Sequence, residues 1–151
     1  MAYLKYKEVT KYFYFSKNIT EKELPKYVLD YVFEDEKVLT GYKTKRDYGV
    51  FTTKKMVLFD NSSTFGITKE VFTIPYNTIS TISVIFKMRG AELSLFLNSG
   101  YPMRIKFVDM SSVDKLRLRL LYSCISRAIN EQTLPAADIK RLNEDDIKFK
   151  D

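Results

Sequence analysis

The middle of the chain is built from short apolar runs in which alternate residues face opposite sides of an extended backbone. Turn-forming residues separate the runs, and the links are too short for parallel crossovers, so neighbouring strands are predicted to be antiparallel. About seven strands joined by hairpins predict a meandering barrel or an orthogonal sandwich. The first strand is predicted to have one solvated face. The predicted strands are residues 37–45, 48–53, 56–59, 71–74, 78–86, 92–97 and 103–107.

The first 35 residues precede the strands and are predicted to form an N-terminal extension. Residues 1–15 interleave aromatic residues with lysines, and their spacing fits a helix in one reading and a strand in another. Both interpretations stay open. Thr20 and Glu23 match a capping box, which predicts a short helix that begins at residue 21 or 24 and ends at residue 33.

The longest predicted helix runs from about Ser112 to Glu131, with Ser111 as its N-terminal cap. Two apolar stripes cover most of its circumference. One stripe can close the end of a barrel, whereas the other needs a second partner, either the N-terminal segment or another subunit. The residues predicted at an oligomer or partner interface are Leu118, Leu121, Tyr122, Ile125, Ile129, Tyr6 and Phe13. Pro135 ends the helical run, and the charged tail, residues 132–151, is predicted to be loosely packed or swapped.

Composition narrows the class of protein. The chain has 45% hydrophobic and 15% aromatic residues, which excludes wholesale disorder. The net charge of +6 lies mainly on residues 36–110, which hold 11 basic and 6 acidic residues without a dense basic run. A solvated surface is therefore the preferred interpretation over a polyanion site. With no membrane-length apolar run and with charges near the first residue, the default expectation is a cytoplasmic protein.

Catalytic chemistry has no visible basis in the sequence. The chain contains no histidine, and its five glycines form no phosphate-cradling loop. Cys124, the single cysteine, falls on an inward helical stripe and is predicted to be a core residue. The acidic run that begins at Glu144 lacks the spacing of a calcium loop. We therefore expect a non-enzymatic protein without a metal or cofactor.

Several short motifs occur in an order and at spacings that suggest a known family. They are Arg46-Asp47, Phe51-Thr52-Thr53-Lys54-Lys55 followed by Met56-Val57-Leu58-Phe59, Ile74-Pro75-Tyr76-Asn77-Thr78-Ile79, and Ala91-Glu92-Leu93. With the strand pattern and the long C-terminal helix, they resemble the bacterial pleckstrin-homology (PH) domain family over about residues 36–131. The resemblance implies a seven-stranded, partly open barrel that a helix plugs at one end. It also implies relatives that form ring-like oligomers.

The resemblance implies a binding platform rather than a reaction. The main expectation is a protein-interaction module that self-associates and binds a protein partner. The first alternative is peripheral binding to anionic membrane lipid, since many eukaryotic members hold phosphoinositide headgroups through basic residues near the loop after the first strand. The residues in question here are Lys43, Lys45, Arg46, Lys54 and Lys55. The loop Asp47-Tyr48-Gly49 is short and opens with an acid, which argues against a deep headgroup pocket. A further alternative, ranked lowest, is nucleic-acid binding through the N-terminal Tyr and Lys segment.

Overall fold

The computed structural model describes residues 11–61 and 70–144. These residues form nine strands, three α-helices and two short 3-10 turns. The strands are β1 (Lys11–Phe15), β2 (Lys17–Ile19), β3 (Val38–Lys43), β4 (Tyr48–Thr52), β5 (Lys55–Asp60), β6 (Glu70–Pro75), β7 (Ile79–Phe86), β8 (Ala91–Leu97) and β9 (Pro102–Phe107). The helices are α1 (Lys26–Leu29), α2 (Ser112–Ile129) and α3 (Ala136–Leu142).

The strands form two sheets with a shared core. The five-stranded sheet has the order β2-β3-β4-β5-β6, and all its pairs are antiparallel. The four-stranded sheet has the order β1-β9-β8-β7, and its pairs are antiparallel except β1 with β9, which is parallel. The predicted strands correspond to β3 through β9, and the predicted barrel-like sandwich is confirmed. The expectation of an unbroken series of hairpins is wrong at one point. Within the described residues β6 does not pair with β7, because Pro75 ends β6 and the 3-10 turn Tyr76–Thr78 carries the chain into the other sheet.

Residues 11–19 connect the two sheets. β1 lies beside β9, and β2 lies beside β3 immediately after a single residue, Ser16. The amide of Ser16 donates to the Lys43 carbonyl at 3.0 Å, which continues the pairing across the junction. The strand interpretation therefore holds for residues 11–15, while residues 1–10 lie outside the described part. The predicted N-terminal extension thus contributes one strand to each sheet.

The predicted helix that ends at residue 33 is wrong in length. The structure has a 3-10 turn, Glu21–Glu23, and then the four-residue helix α1. Pro25 separates them in an extended conformation, with ψ of 151°, so the first turn cannot propagate. The predicted capping box is present, since the Thr20 amide donates to the Glu23 carboxylate at 3.3 Å.

The segment around α1 covers the outer face of the five-stranded sheet. Leu24 and Val28 pack there against Val38, Val50 and Val57 in a second hydrophobic cluster. The prediction that the first strand has one solvated face is therefore wrong, because the first five residues of β3 are all buried. The alternation correctly predicted a strand, but the segment around α1, which is distant in the sequence from most of the sheet, covers the face that was expected to be solvated.

Helix α2 closes the main core. Its predicted cap is confirmed: the Asp114 amide donates to the Ser111 hydroxyl at 3.1 Å, and the Ser111 amide donates to the Asp114 carboxylate at 2.9 Å. The helix ends at Ile129, two residues before the predicted end. The side chains of α2 that are buried in the main core are Leu118, Leu121, Cys124 and Ile125.

The C-terminal segment is part of the fold. Leu142 of α3 is buried in the main core, and Leu134 and Ile139 pack against that core. The buried guanidinium of Arg117 donates to the Leu142 carbonyl at 2.8 Å and also to the Glu144 carbonyl. The prediction of a loosely packed or swapped tail is therefore wrong for the described residues up to 144.

Candidate interaction surfaces

The five basic residues predicted to hold an anionic ligand do not form one site. Lys43, Lys45 and Arg46 lie at the hairpin between β3 and β4, whereas Lys54 and Lys55 lie at the hairpin between β4 and β5. These hairpins stand at opposite ends of β4, a five-residue strand about 16 Å long. A single anionic headgroup cannot bridge the two groups.

The second group is also paired with carboxylates of the α1 segment. The Lys55 ammonium lies 3.1 Å from the Glu36 carboxylate and 3.5 Å from the centre of the Phe33 ring, and its side chain is largely buried. The Lys54 ammonium lies 2.5 Å from the Asp35 carboxylate at an exposed position. This hydrogen bond holds the pKa of the Asp35 carboxyl below its usual value. Lys54 and Lys55 are thus partners of these carboxylates within the chain.

Most of the predicted oligomer interface lies inside the protein. Leu118, Leu121 and Ile125 are fully buried in the core, and so is Phe13 on β1. The apolar stripe of α2 to which these leucines belong faces the two sheets rather than another subunit, which corrects the prediction. Tyr6 lies outside the described residues.

Tyr122 and Ile129 complete the predicted interface and are half-buried. Both pack against the main core, and the Tyr122 hydroxyl donates to the Ile82 carbonyl on β7 at 3.2 Å. The element that packs on the remaining side of α2 is α3, which comes from the chain's own C-terminal segment. The sequence predicted either the N-terminal segment or a second subunit in this role, whereas the structure has α3 there.

Two of the N-terminal aromatic residues in the described segment face the core of the domain. Phe13 and Phe15 are buried, whereas Tyr14 between them is 50% exposed. Alternation along β1 therefore directs Phe13 and Phe15 into the core. Base stacking of the kind used by single-strand-binding proteins needs several exposed rings.

Among the described residues, the candidates for catalytic or metal chemistry are the cysteine thiol as a nucleophile and the acidic side chains as metal ligands. Cys124 is buried, and burial raises the pKa of its thiol from 9.0 to about 11, which disfavours the nucleophilic thiolate. Across residues 11–61 and 70–144, no cluster of three or more potential metal-ligating side chains occurs. In the same residues, no helix combines the length and the hydropathy needed to cross a membrane.

The free edge of β7 is a surface that was not predicted from the sequence. This eight-residue strand ends the four-stranded sheet, and several of its outward positions are exposed. It contains no charged residue and no proline. The sequence could have identified this edge by the absence of charge along a predicted strand, because exposed edge strands usually carry charges or proline that discourage further pairing.

A second such surface is the tip of the hairpin between β7 and β8. Met88 stands in the turn, 91% exposed, with Lys87 and Arg89 on either side. A groove of about 430 Å³ runs beside the turn toward the end of β9. The sequence could have identified this surface by a methionine between two cations in a four-residue turn, because turns normally carry small or polar residues.

The comparison with protein families agrees with this architecture. The model of the bacterial PH domain family matches residues 9–125. The chain belongs to the bacterial PH domain family. The match begins ahead of β1, so it includes the two N-terminal strands that join the sheets. Bacterial PH domains are generally non-catalytic.

Three solved bacterial structures are similar to this bacterial PH domain. A DUF1696-family protein with a PH domain from Shewanella loihica PV-4 has a TM-score of 0.59 at 20% identity and covers 74% of this chain and 95% of its own. A PH domain from Shewanella amazonensis SB2B has a TM-score of 0.53 at 25% identity, with 75% and 93% covered. A PH-domain protein from Exiguobacterium sibiricum 255-15 has a TM-score of 0.56 at 19% identity, with 76% and 62% covered.

A curated relative is the uncharacterized protein YjqA of Bacillus subtilis (strain 168). It is 42% identical to this chain over 53 residues, which are 35% of this chain. The match spans 42% of the length of YjqA, less than half of that relative.

Proposed function

We propose that this bacterial PH domain is a non-enzymatic protein-interaction module that self-associates through the free edge of β7 (Ile79–Phe86). The single observation that carries the proposal is that β7 is the one described sheet edge without a protecting charge, proline or short length. Such an edge presents unpaired backbone groups to a strand from another chain.

The other described edges differ from β7 in this respect. β1 begins with Lys11 and runs directly into β2, which has only three residues and begins with Lys17. β6 begins with Glu70 and ends with Pro75. Lysine, glutamate, proline and short length are the devices by which natural sheets discourage further pairing. Charge, proline or short length marks three edges, whereas β7 has only a register shift at its start, between Ile79 and Thr81, which supports the rest of β7 as the site of strand addition.

The backbone of β7 is oriented for pairing on its free side. The Lys87 amide donates to the Gly90 carbonyl of the hairpin at 2.8 Å. Two and four residues earlier, Ile85 lies opposite Glu92 and Ser83 lies opposite Ser94. In an antiparallel ladder the intervening residues direct their amide and carbonyl groups the other way. Val84 and Phe86 therefore direct theirs toward the free edge, while the neighbouring Ile82 carbonyl accepts from Tyr122.

A second copy of this chain is the occupant that the composition favours. β7 has no charge to be matched, and five of its eight residues are β-branched, so another uncharged β-strand is its natural complement. Closed homo-oligomers are also the usual way in which soluble proteins bury such a surface. A different protein that offers a similar strand is the alternative outcome of the test.

The test compares two lysine substitutions at directly opposed positions. Ser83→Lys places a charge in the middle of the edge strand, and Ser94→Lys places the same charge on the adjacent internal strand. We expect light scattering to give a multiple of 17.7 kDa for the wild type and Ser94→Lys, and a mass near 17.7 kDa for Ser83→Lys. A monomeric wild type, or an unchanged oligomer in Ser83→Lys, would contradict self-association through β7. Cross-linking to a different protein that is lost only in Ser83→Lys would assign the edge to that partner instead.

A further inference from the structure

We infer that the outer face of the four-stranded sheet binds single-stranded nucleic acid. This face is the side of β1, β9, β8 and β7 that points away from the main core. It is distinct from the free edge of β7, and binding to it does not require self-association. Three features support this role: the strand register, the exposure of two aromatic rings and the distribution of charge.

The strand register determines which residues share the outer face. Successive side chains of a strand point to opposite faces, so the neighbours of buried core residues point outward. Tyr14 lies between two buried phenylalanines of β1, and it pairs with Lys106 of β9. Phe96 follows a buried leucine of β8, and it pairs with Pro102 of β9. Arg104 lies midway between Lys106 and Pro102 on β9 and therefore shares this face.

Tyr14, Arg104 and Phe96 form a diagonal row across the sheet. Each step of the row crosses to the next strand and moves two residues along it, which places neighbouring positions about 8 Å apart. The two rings are 50% and 48% exposed, and the Arg104 side chain is 49% exposed. Rings and guanidinium planes are the groups on which unpaired bases stack. The row can therefore accept successive bases of an extended strand.

The charge on this face favours a polyanion. Arg104 and Lys106 belong to the face, and Lys87 follows β7 in the same alternation. Glu92 of β8 lies among them, but it is largely buried, 3.6 Å from the Lys87 ammonium and 3.5 Å from the Arg104 guanidinium. The Lys106 ammonium lies 5.6 Å from the centre of the Tyr14 ring. A phosphate backbone that passes the rings would therefore meet cations beside them.

Hydroxyl groups occupy positions beside this row. Ser94 of β8 lies opposite Arg104 on one side and opposite Ser83 of β7 on the other. Thr81 of β7 lies opposite Phe96. A hydroxyl can donate to or accept from the edge of a base that is not paired with another base. The surface between the rings thus offers hydrogen bonds to a stacked base.

A folded protein fits this face less well than a single strand does. The centre of a protein–protein interface is apolar and depleted in charged residues. Here a cation and hydroxyl groups separate the two rings, and the exposed Ile85 lies three strands away from Tyr14. A double helix also fits poorly, because its bases are stacked on one another and paired, so they are not free to stack on the rings. We therefore assign the face to a single strand.

The experiment measures the fluorescence anisotropy of labelled oligouridylate and oligothymidylate of about ten nucleotides with the full chain. A duplex of the same length is the comparison. We expect binding to at least one of the single strands, much weaker binding to the duplex, and a steep loss of affinity on addition of salt. Equal binding of the duplex, or no binding of either single strand, would overturn the inference.

Ring variants test stacking. Tyr14→Ala and Phe96→Ala are each expected to weaken binding about tenfold, because loss of one stacked base costs about that much affinity. Tyr14→Phe keeps the ring and should bind like the wild type. The matched control is Tyr31→Ala, which removes a ring that is 39% exposed and packs on Phe59 at the outer face of the other sheet. Unchanged binding in both ring variants, or an equal loss in Tyr31→Ala, would contradict stacking on this face.

Arg104→Gln tests the charge of the face, and Arg119→Gln, at an exposed position of α2, is its control. We expect a several-fold loss and a shallower dependence on salt for Arg104→Gln, and wild-type binding for Arg119→Gln. Urea unfolding of every variant establishes that a loss of binding is not a loss of folding. Losses of equal size in the two arginine variants would show that binding follows net charge alone and would overturn the inference.

Light scattering on the same samples separates nucleic-acid binding from self-association. An oligomeric wild type that ignores oligonucleotides would overturn the inference and leave the proposed function intact. A monomeric wild type that binds them would do the reverse. An oligomer that ignores oligonucleotides and dissociates in Phe96→Ala would assign this face to a second copy of the chain instead.

Discussion

At the scale of single residues, the two adjacent lysines of the β4–β5 hairpin show how much a side chain's environment can differ from that of its neighbour. Lys55 is 7% exposed and pairs with the buried carboxylate of Glu36, whereas Lys54 pairs with Asp35 in solvent. The sequence treats them alike, as two cations after a strand. Only the position of the α1 segment over the sheet makes one of them a buried ion pair.

This difference predicts unequal costs for two alanine substitutions. Lys55→Ala leaves the Glu36 carboxylate buried with the Phe33 amide as its remaining hydrogen-bond donor, at 3.0 Å, and we expect a loss of about 2–4 kcal/mol in the free energy of unfolding. Lys54→Ala removes an exposed pair and should leave stability almost unchanged. Urea unfolding of both variants beside the wild type measures this. Equal losses in the free energy of unfolding would show that the Lys55–Glu36 pair contributes no more to stability than the exposed Lys54–Asp35 pair.

At the scale of elements, α3 decides how α2 is accommodated. A helix that is apolar around most of its circumference needs covering on two sides. The sheets cover one side through Leu118 and Leu121, and α3 packs on another. The Arg117 guanidinium donates to the carbonyl of Leu142, the last residue of α3. The Asn143 side chain, just after α3, donates to the Val38 carbonyl at 3.3 Å. The C-terminal segment is thus a structural element of the domain.

Two truncations test the role of α3. A chain that ends at residue 132 lacks Leu134, Ile139 and Leu142, so we expect its free energy of unfolding to fall by about 3 kcal/mol or more. A chain that ends at residue 144 keeps α3 and both carbonyls that Arg117 contacts, and should unfold like the full chain. Thermal and urea unfolding of the full chain and the two truncated chains measure this difference. A stable, cooperative chain ending at residue 132 would contradict this role.

At the scale of the whole molecule, one continuous core joins both sheets and α2, and it encloses groups that can lose a proton. Tyr42, Tyr76 and Cys124 belong to this core. Burial raises the pKa of each of them, for Cys124 from 9.0 to about 11 and for the two tyrosines above 10.0. In the unfolded chain these groups ionise at their ordinary values.

The molecule should therefore lose stability in alkali. Between the unfolded and folded pKa values the unfolded state binds fewer protons, so the free energy of unfolding falls as pH rises, by about 1.4 kcal/mol per pH unit for each titrating group. For Cys124 the stabilisation is complete below pH 9.0 and is lost as pH rises through about 11. Urea unfolding over this range measures the slope. Cys124→Ala should have a shallower slope, and an identical slope in both proteins would exclude a contribution from the thiol.

The sequence by itself determined most of the local structure. Period-two alternation fixed the strands β3 to β9, and Ser111 with Asp114 fixed the start of α2, because both depend on residues close together in the chain. The tertiary structure alone decided what covers each apolar face. It placed the α1 segment over β3 and α3 against α2, and it left β7 and Met88 uncovered. Periodicity shows that a face is apolar, but the element that covers it is a non-local choice made by packing.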